Sequence, residues 1–273
     1  MLINNQNLTA IIVSFKSEHV IHNCINSIKK EIEIIVVDNS NNLKFQRDIE
    51  KQYKNVKCIL STNNVGMGAG NNIGIRNTNK DFALILNPDV ILEKNAIDEM
   101  ILSAIQIKSF GVIAPISDKS KYPNYKFDKK QNNQYSQFDP FKVKCVDGYA
   151  MLLNLKRLRK LKNFSYFDEN FFMYLENDDF CERLRSNNEN IYIIPKSKIH
   201  HLGAEAVDPR FKYEIELSRN WHWMWSKFYF NKKHFGYFNA TLKILGNLIS
   251  AKIKFFYYLI TFNEFKRNIY KMR

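Results

Sequence analysis

Four short runs, at residues 8–14, 32–37, 56–60 and 82–86, are almost wholly apolar and rich in β-branched side chains. A run of this kind has no polar face to offer water, so it is predicted to be a strand buried on both sides. The segments between the runs have helical spacing. Ser17 is predicted to open a helix carrying Val20, Ile21, Cys24, Ile25 and Ile28 inward. Residues 43–53 form a more polar helix. Asn95 is predicted to cap a third helix, through residue 107, with Ile97, Met100, Ile101, Ala104 and Ile105 on its apolar face. Another strand is expected at 111–114. Strands alternating with helices imply an α/β fold, a mostly parallel sheet covered on both faces, with its ligand crevice at the carboxyl edge.

Beyond this region the pattern changes. Residues 117–141 are rich in Lys, Asn, Gln and Tyr and read as a long loop or a pair of edge strands. Order returns over 145–154. An acidic and aromatic segment at 167–180 then runs into a short helix at 178–187, and a last strand is expected at 191–194. No internal repeat is present. The four cysteines, at 24, 58, 145 and 181, form no C-x-x-C pair, so neither a zinc site nor a disulfide framework is expected. Cys24 and Cys58 read as small core residues. The start of the sequence has no basic-then-apolar signal pattern, and a reducing cytoplasm is the expected compartment.

The net charge is +14, but it is concentrated. Residues 218–273 hold eleven basic side chains against the single acid Glu264, leaving only +4 for residues 1–217. The same tail holds 16 of the 38 aromatic residues. We therefore expect two parts, a catalytic domain at 1–217 and a basic, aromatic helical extension at 218–273. Basic and aromatic residues together suit an anionic membrane surface. Packing of Trp221 and Trp225, spaced i, i+4, on the rest of the chain is the competing use. The apolar stretch 242–262 contains Lys243, Lys252 and Lys254 and is not expected to span a bilayer. The near-neutral first part carries no nucleic-acid motif, which argues against a basic nucleic-acid-binding protein.

Polar residues gather where the apolar runs end. Ser14, Asp38 and Asp89 each follow such a run. Each alone is an ordinary turn residue, but three on one sheet edge point to a ligand site. The loop at 63–72, with Gly66, Gly68 and Gly70, matches neither the dinucleotide fingerprint nor a P-loop. Its N–H groups are expected to face a phosphate, with Arg76 as a pairing cation. Asp89, in Asn87-Pro88-Asp89, is placed to hold a divalent metal beside a diphosphate. Glu176, Asp178 and Asp179 stand among Phe171, Phe172, Tyr174 and Phe180, whose walls would raise a carboxylate toward a working general base. Of His200 and His201, adjacent in the chain, at most one is expected to be a ligand.

These features occur in one order: Ser14, Val36-Val-Asp38-Asn-Ser40, Asn64-x-Gly66, Gly70-Asn-Asn72-x-Gly74, Leu86-Asn-Pro-Asp89, Val146-Asp-Gly-Tyr149, Phe172-Met-Tyr-x-Glu176-x-x-Asp179-x-Cys181-x-Arg183 and His200-x-x-Gly203. Over about residues 8–205 the chain resembles the family-2 inverting glycosyltransferases of GT-A fold, in particular the rhamnosyltransferase-like group. The resemblance implies a Rossmann-like αβα sandwich that transfers a sugar, rhamnose in that group, from a dTDP- or UDP-sugar. The acceptor would be a glycan or lipid-linked molecule in cell-surface polysaccharide synthesis, at the inner face of the membrane. It implies that Asp38 and Ser14 bind the nucleotide base region, and that Asn64, Gly66, Asn72 and Arg76 line the nucleotide and diphosphate. Asp147 and Gly148 would lie near a sugar. Asp89, assisted by His200, would hold Mg²⁺ or Mn²⁺, and Glu176, Asp178 or Asp179 would supply the base. Two positions depart from the family pattern: Asn87 replaces the first acid of the metal motif, and Asn177 stands where many relatives carry the base. A non-catalytic sugar-nucleotide-binding relative is therefore an alternative. A nucleotidyltransferase is not favoured, because the Gly- and Lys-rich N-terminal loop expected of one is missing.

Overall fold

The first strand, β1 (Leu8–Ser14), is buried at all seven positions, as its composition demands. A computed structural model of the protein describes residues 3–117, 123–128, 138–203 and 209–273. After β1 come α1 (Ile21–Ser27), β2 (Glu33–Asp38), α2 (Leu43–Gln52), β3 (Val56–Leu60), α3 (Gly66–Arg76), β4 (Phe82–Leu86), β5 (Val90–Leu92), α4 (Ala96–Ile107) and β6 (Val112–Ser117). Short strands β7 (Tyr125–Lys126), β8 (Phe141–Lys142) and β9 (Cys145–Val146) precede β10 (Ala150–Asn154), α5 (Leu155–Leu158), α6 (Glu176–Ser186) and β11 (Ile191–His201). Three helices follow: α7 (Lys212–Phe235), α8 (Tyr237–Ile260) and α9 (Glu264–Lys271).

The chain divides into two compact units, Met1–Glu169 with Asn177–Val207, and Asn170–Glu176 with Asp208–Arg273. In the first, the main sheet has the order β3-β2-β1-β4-β10-β6-β11-β5, with β8 alongside β11, while β7 and β9 pair separately. The parallel part is β3-β2-β1-β4. Beyond β4 the sheet is mixed, because β10 runs antiparallel to both β4 and β6 and β11 is antiparallel to β5. Alternate residues feed two cores. Ala10, Ile12, Ile34, Val36, Leu84 and Leu86 face α1, α2 and α4 through Ile21, Cys24, Phe45, Ile49, Ile97 and Met100. Ile11, Val13, Ile35, Val37, Ala83 and Ile85 face Ile75, Leu155, Leu158, Phe180 and Leu184. This is the αβα sandwich expected from the sequence, with period-2 burial setting which side chain serves which face.

Several elements differ from expectation. α1 starts at Ile21, because Ser17 opens a turn whose carbonyl accepts from Val20 and Ile21 N–H. The side chain of Asn95 makes no cap bond to α4. The Gly-rich stretch expected as a loop is mostly helix α3. There Gly70 and Gly74, one turn apart, lie flat on β1. A Cβ on Gly70 would stand 2.7 Å from Val13 Cγ1, and one on Gly74 would meet Ile11. Two of the glycines thus serve close helix–strand packing. The last strand is longer than 191–194 and shifts register between Ile194 and Lys198. Residues 118–122 and 129–137, inside the expected loop at 117–141, lie outside the described residues.

The second unit also departs from the expected boundary at 217/218. α7 begins at Lys212, and the unit takes in Asn170–Glu176. That segment is tied to α7 by aromatic contacts. Phe171 meets Tyr229 edge-on at 4.9 Å, Phe172 stacks on His222 at 4.3 Å, and Tyr174 meets Trp223 edge-on at 5.6 Å. Ser226 Oγ donates to Met173 O at 2.7 Å. Along α7, Trp221, Trp225 and Tyr229 stack on one another at 6.1 Å steps. α9 returns to its neighbours through a Tyr258–Tyr270 stack and an Asn268–Tyr213 hydrogen bond.

Candidate donor site at the carboxyl edge of the sheet

Ser14 and Asp38 are register partners at the carboxyl ends of β1 and β2, and Leu86, ending β4, pairs with Ile12. The three parallel strands therefore deliver Ser14, Asp38 and the turn Asn87-Pro88-Asp89 to one edge. Asn39, just after Asp38, donates from Nδ2 to Asn64 Oδ1 (3.3 Å) and to Gly66 O (3.1 Å), and Gly66 N–H donates to Asn64 Oδ1 (3.2 Å). Gly66 has φ of +83°, a left-handed conformation that favours glycine. The β2 loop is thereby fixed to the start of α3.

The defining property of this edge is unsatisfied polarity. Ser14 Oγ, Asn39 Oδ1, Asn87 Oδ1 and Asp89 Oδ1 are all buried, and none has a hydrogen-bond partner among the described residues. Buried polar atoms are nearly always paired, so four orphans along one edge make it the candidate place for a polar ligand or ion.

Asp89 is 2% exposed and is held from both sides. Its carbonyl accepts from Leu202 N–H at 3.1 Å, and its Oδ2 lies 3.4 Å from His201 Nε2. The His201 ring stacks on Tyr149 at 4.0 Å, and the Tyr149 carbonyl accepts from Asn87 N–H at 2.9 Å. This corrects the expectation for His200. Side chains alternate along β11, so His200 points the other way, toward Glu93 Oε1 at 3.5 Å, and His201 is the histidine beside Asp89. Among the described residues, no group of three or more His, Cys, Asp or Glu is placed to hold a metal ion by itself. Asp89 and His201 fit as two ligands: the pair offers one orphan carboxylate oxygen and one imidazole nitrogen, and a diphosphate would have to supply further oxygens.

Asp147 lies within electrostatic reach of His201 on one side and of Asp178 on the other. Asp178 Oδ1 accepts from Lys126 Nζ at 2.6 Å. Burial pushes the half-buried Asp147 carboxyl above the ordinary aspartate value; Lys126 pulls it down, Asp178 pushes it up and His201 pulls it down. Backbone bonds fix Asp147, whose N–H donates to the carbonyl of buried Asn124. Asn177 is not open to a substrate proton: its Nδ2 donates to Val146 O at 2.9 Å. A Cβ on Gly148 would come 3.2 Å from Asn177 Cβ, so glycine here lets α6 approach this strand end.

Other expected site residues have structural employment. Asp38 is fully buried and accepts from Ser40 N–H, Ser40 Oγ and Asn42 N–H, a turn closed on itself. Asn72 donates to Phe167 O and Glu169 Oε1 and accepts from Phe167 N–H. Arg76 pairs with Glu169 at 3.2 Å. Asn72 and Arg76 lie about 9 and 15 Å along α3 from Gly66, away from the orphan edge. Their partners lie more than ninety residues along the chain, which no local pattern reveals. Asp179 has no exposed surface and is clamped to Arg183 Nε at 2.8 Å; Arg183 also donates to Ser165 O and Tyr166 O. The Asp179 carboxylate is engaged in a buried ion pair. Phe171, Phe172 and Tyr174 pack within the helical unit, and Phe180 lies in the sheet core, so they do not wall a carboxylate pocket. Glu176 ends the segment belonging to the helical unit. Sequence reasoning missed Lys126, gave Tyr149 no role beyond its motif, and left His201 open as one of two adjacent histidines until the family resemblance favoured His200. All four cysteines are buried free thiols, and burial pushes Cys58 up to about 12.

The fold these elements build is GT-A, a nucleotide-sugar transferase architecture with a helical C-terminal part. The chain belongs to glycosyl transferase family 2, whose family model matches residues 9–183. It is 30% identical over 200 residues to the low-salt glycan biosynthesis hexosyltransferase Agl10 of Haloferax volcanii. That match covers 67% of this chain and 63% of the relative. Structures of similar fold include GalNAc-T7 with UDP, GalNAc and Mn²⁺ (TM-score 0.57, 13% identity, 80% of this chain and 50% of that one). Others are S. aureus TarS 1–349 with UDP-GlcNAc (0.52, 19%, 79% and 66%) and a Pyrobaculum calidifontis mannosyltransferase with GDP-Man and Mn²⁺ (0.55, 12%, 80% and 62%).

Proposed function

We propose that this protein transfers a hexosyl group, rhamnose in the first instance, from a dTDP- or UDP-sugar to an acceptor hydroxyl with inversion at the anomeric carbon. The observation that carries this reading is the row of buried, unpartnered polar atoms on Ser14, Asn39, Asn87 and Asp89 beside His201. Ser14 and Asn39 would receive the nucleoside, and Asn64 and Gly66 hold that loop in place. Asp89 and His201 would hold Mg²⁺ or Mn²⁺, which when bound supplies positive charge for the leaving diphosphate.

For the proton we assign Asp147. Of the two adjoining carboxylates, Asp178 is matched to Lys126, whereas burial leaves Asp147 with raised proton affinity. A general base must take up a proton near working pH, and Asp147 is the better suited. Asp147 Oδ would accept the acceptor hydroxyl's proton as its oxygen attacks the anomeric carbon and the diphosphate leaves. The acceptor is read as a glycan or lipid-linked molecule at the inner face of the membrane, in cell-surface polysaccharide synthesis. The tail's charge supports that location, and Agl10's glycan role is consistent with it.

Calorimetric titration with UDP, dTDP and GDP, with and without Mn²⁺, followed by a donor-hydrolysis panel, tests the reading. Metal-stimulated binding of a pyrimidine nucleoside diphosphate and release of sugar support it. Binding with no hydrolysis or transfer from any donor would point instead to a non-catalytic relative, for which Asn87 and Asn177 are the motive.

A further inference from the structure

Helix α8 has two apolar faces, and only one is used inside the helical unit. Ala240 and Ala251 are buried on one side. On the other side stand Phe238, Leu242, Leu245, Ile249, Ile253, Phe256 and Ile260, between 47% and 75% exposed. At 100° per residue these seven fall within about 40° of a single line opposite the two alanines, and they run about 33 Å along the helix. Lys252 lies beside this line, about 60° from its centre, whereas Lys243 and Lys254 lie about 120° or more from it and stand over the rings of Phe235 and Tyr270; α8 contains no acidic residue. No helix among the described residues is long and apolar enough to cross a membrane.

We infer that this face of α8 is a membrane-docking surface that lies flat in the headgroup region of an anionic bilayer. Charge complementarity selects the occupant. A second copy of the chain seated on the stripe would bring together two tails that each carry eleven basic residues against the single acid Glu264 over 218–273. A bilayer with anionic headgroups offers hydrocarbon to the seven apolar side chains and negative charge to Lys252 and to the net basic tail. Phe262, 94% exposed, follows directly on the end of the helix. The inference rests on, and deepens, the membrane-surface part of the proposed function by naming the element that docks and its orientation.

The test is flotation of the full chain with phosphatidylglycerol-containing vesicles and with pure phosphatidylcholine vesicles, alongside donor binding as an independent readout. The wild-type chain should float with the anionic vesicles and much less with the neutral ones. L245D and I249D alter exposed positions and should keep the fold and donor binding, yet each should lower partitioning about tenfold or more. K252E should lower it about fivefold or more on anionic vesicles only. Failure of the wild type to float would overturn both this inference and the membrane location. Flotation that L245D and I249D leave intact would overturn the assignment to α8 alone. A solution dimer that I249D dissociates, with no flotation, would assign the face to a second copy and refute the inference. Donor binding, unaffected in every case, keeps these outcomes separate from the transferase reading.

Discussion

Replacing Asp179 by Asn separates a base from a structural ion pair. The carboxylate has no exposed surface and lies 2.8 Å from Arg183 Nε, which is itself only 18% exposed. Removing one partner of a buried pair typically costs about 3–5 kcal/mol, because the other charge stays buried uncompensated. Two features place this case at the lower end. The Arg183 guanidinium keeps the carbonyls of Ser165 and Tyr166, and its charge also lies over the rings of Phe164 and Phe180. A loss of about 3 kcal/mol in a unit of this size lowers the melting temperature by about 6–12 °C. Thermal unfolding by circular dichroism measures that loss, and transfer assayed well below the lowered midpoint measures chemistry. The expected result is a large drop in melting temperature with turnover within a few-fold of wild type. A melting temperature within 2 °C of wild type together with a hundredfold loss of turnover would refute the structural assignment and return Asp179 to the reaction.

Asp147→Asn should show the converse, a turnover loss of about 100- to 10000-fold with donor binding and stability kept, read by single-turnover transfer and calorimetry. Activity should fall as pH drops through the raised Asp147 value; Asp178→Asn removes a like charge and should move that limb to lower pH, while Lys126→Met removes an opposing charge and should move it higher, as a pH–rate profile would record. Asp89→Ala and His201→Ala should each abolish Mn²⁺-stimulated nucleotide binding, whereas His200→Ala should leave it unchanged in the same titration. Gly70→Val should destabilise by about 1–3 kcal/mol through overpacking against Val13, measured by urea denaturation.

The central strands were legible because the run at 8–14 has no alternative to burial on both faces, and the same holds at 82–86. α3 was not, because Gly and Asn disfavour helix locally; close packing of Gly70 and Gly74 on β1 overrides that preference. β5 is three residues long and pairs with a strand about a hundred residues later, so no local pattern betrays it. The direction of β10 is equally silent in sequence. At the site, Ser14 and Asp89 could be found from their place after apolar runs. The choice between His200 and His201 depends on the phase of β11 against β5, which follows a register shift between Ile194 and Lys198. The duties of Asn72 and Arg76 depend on partners that only the folded chain brings near, whereas the i, i+4 spacing of Asp179 and Arg183 is local and its burial is what the sequence does not show.

The segment Asn170–Glu176 leaves one compact unit for the other and returns before the chain makes its final passage at Val207. Its Phe171, Phe172 and Tyr174 find their aromatic partners on α7. The helical part is therefore not a detachable appendage. A truncation after residue 207 would strip those three rings of their cover and leave a sticky loop immediately before α6.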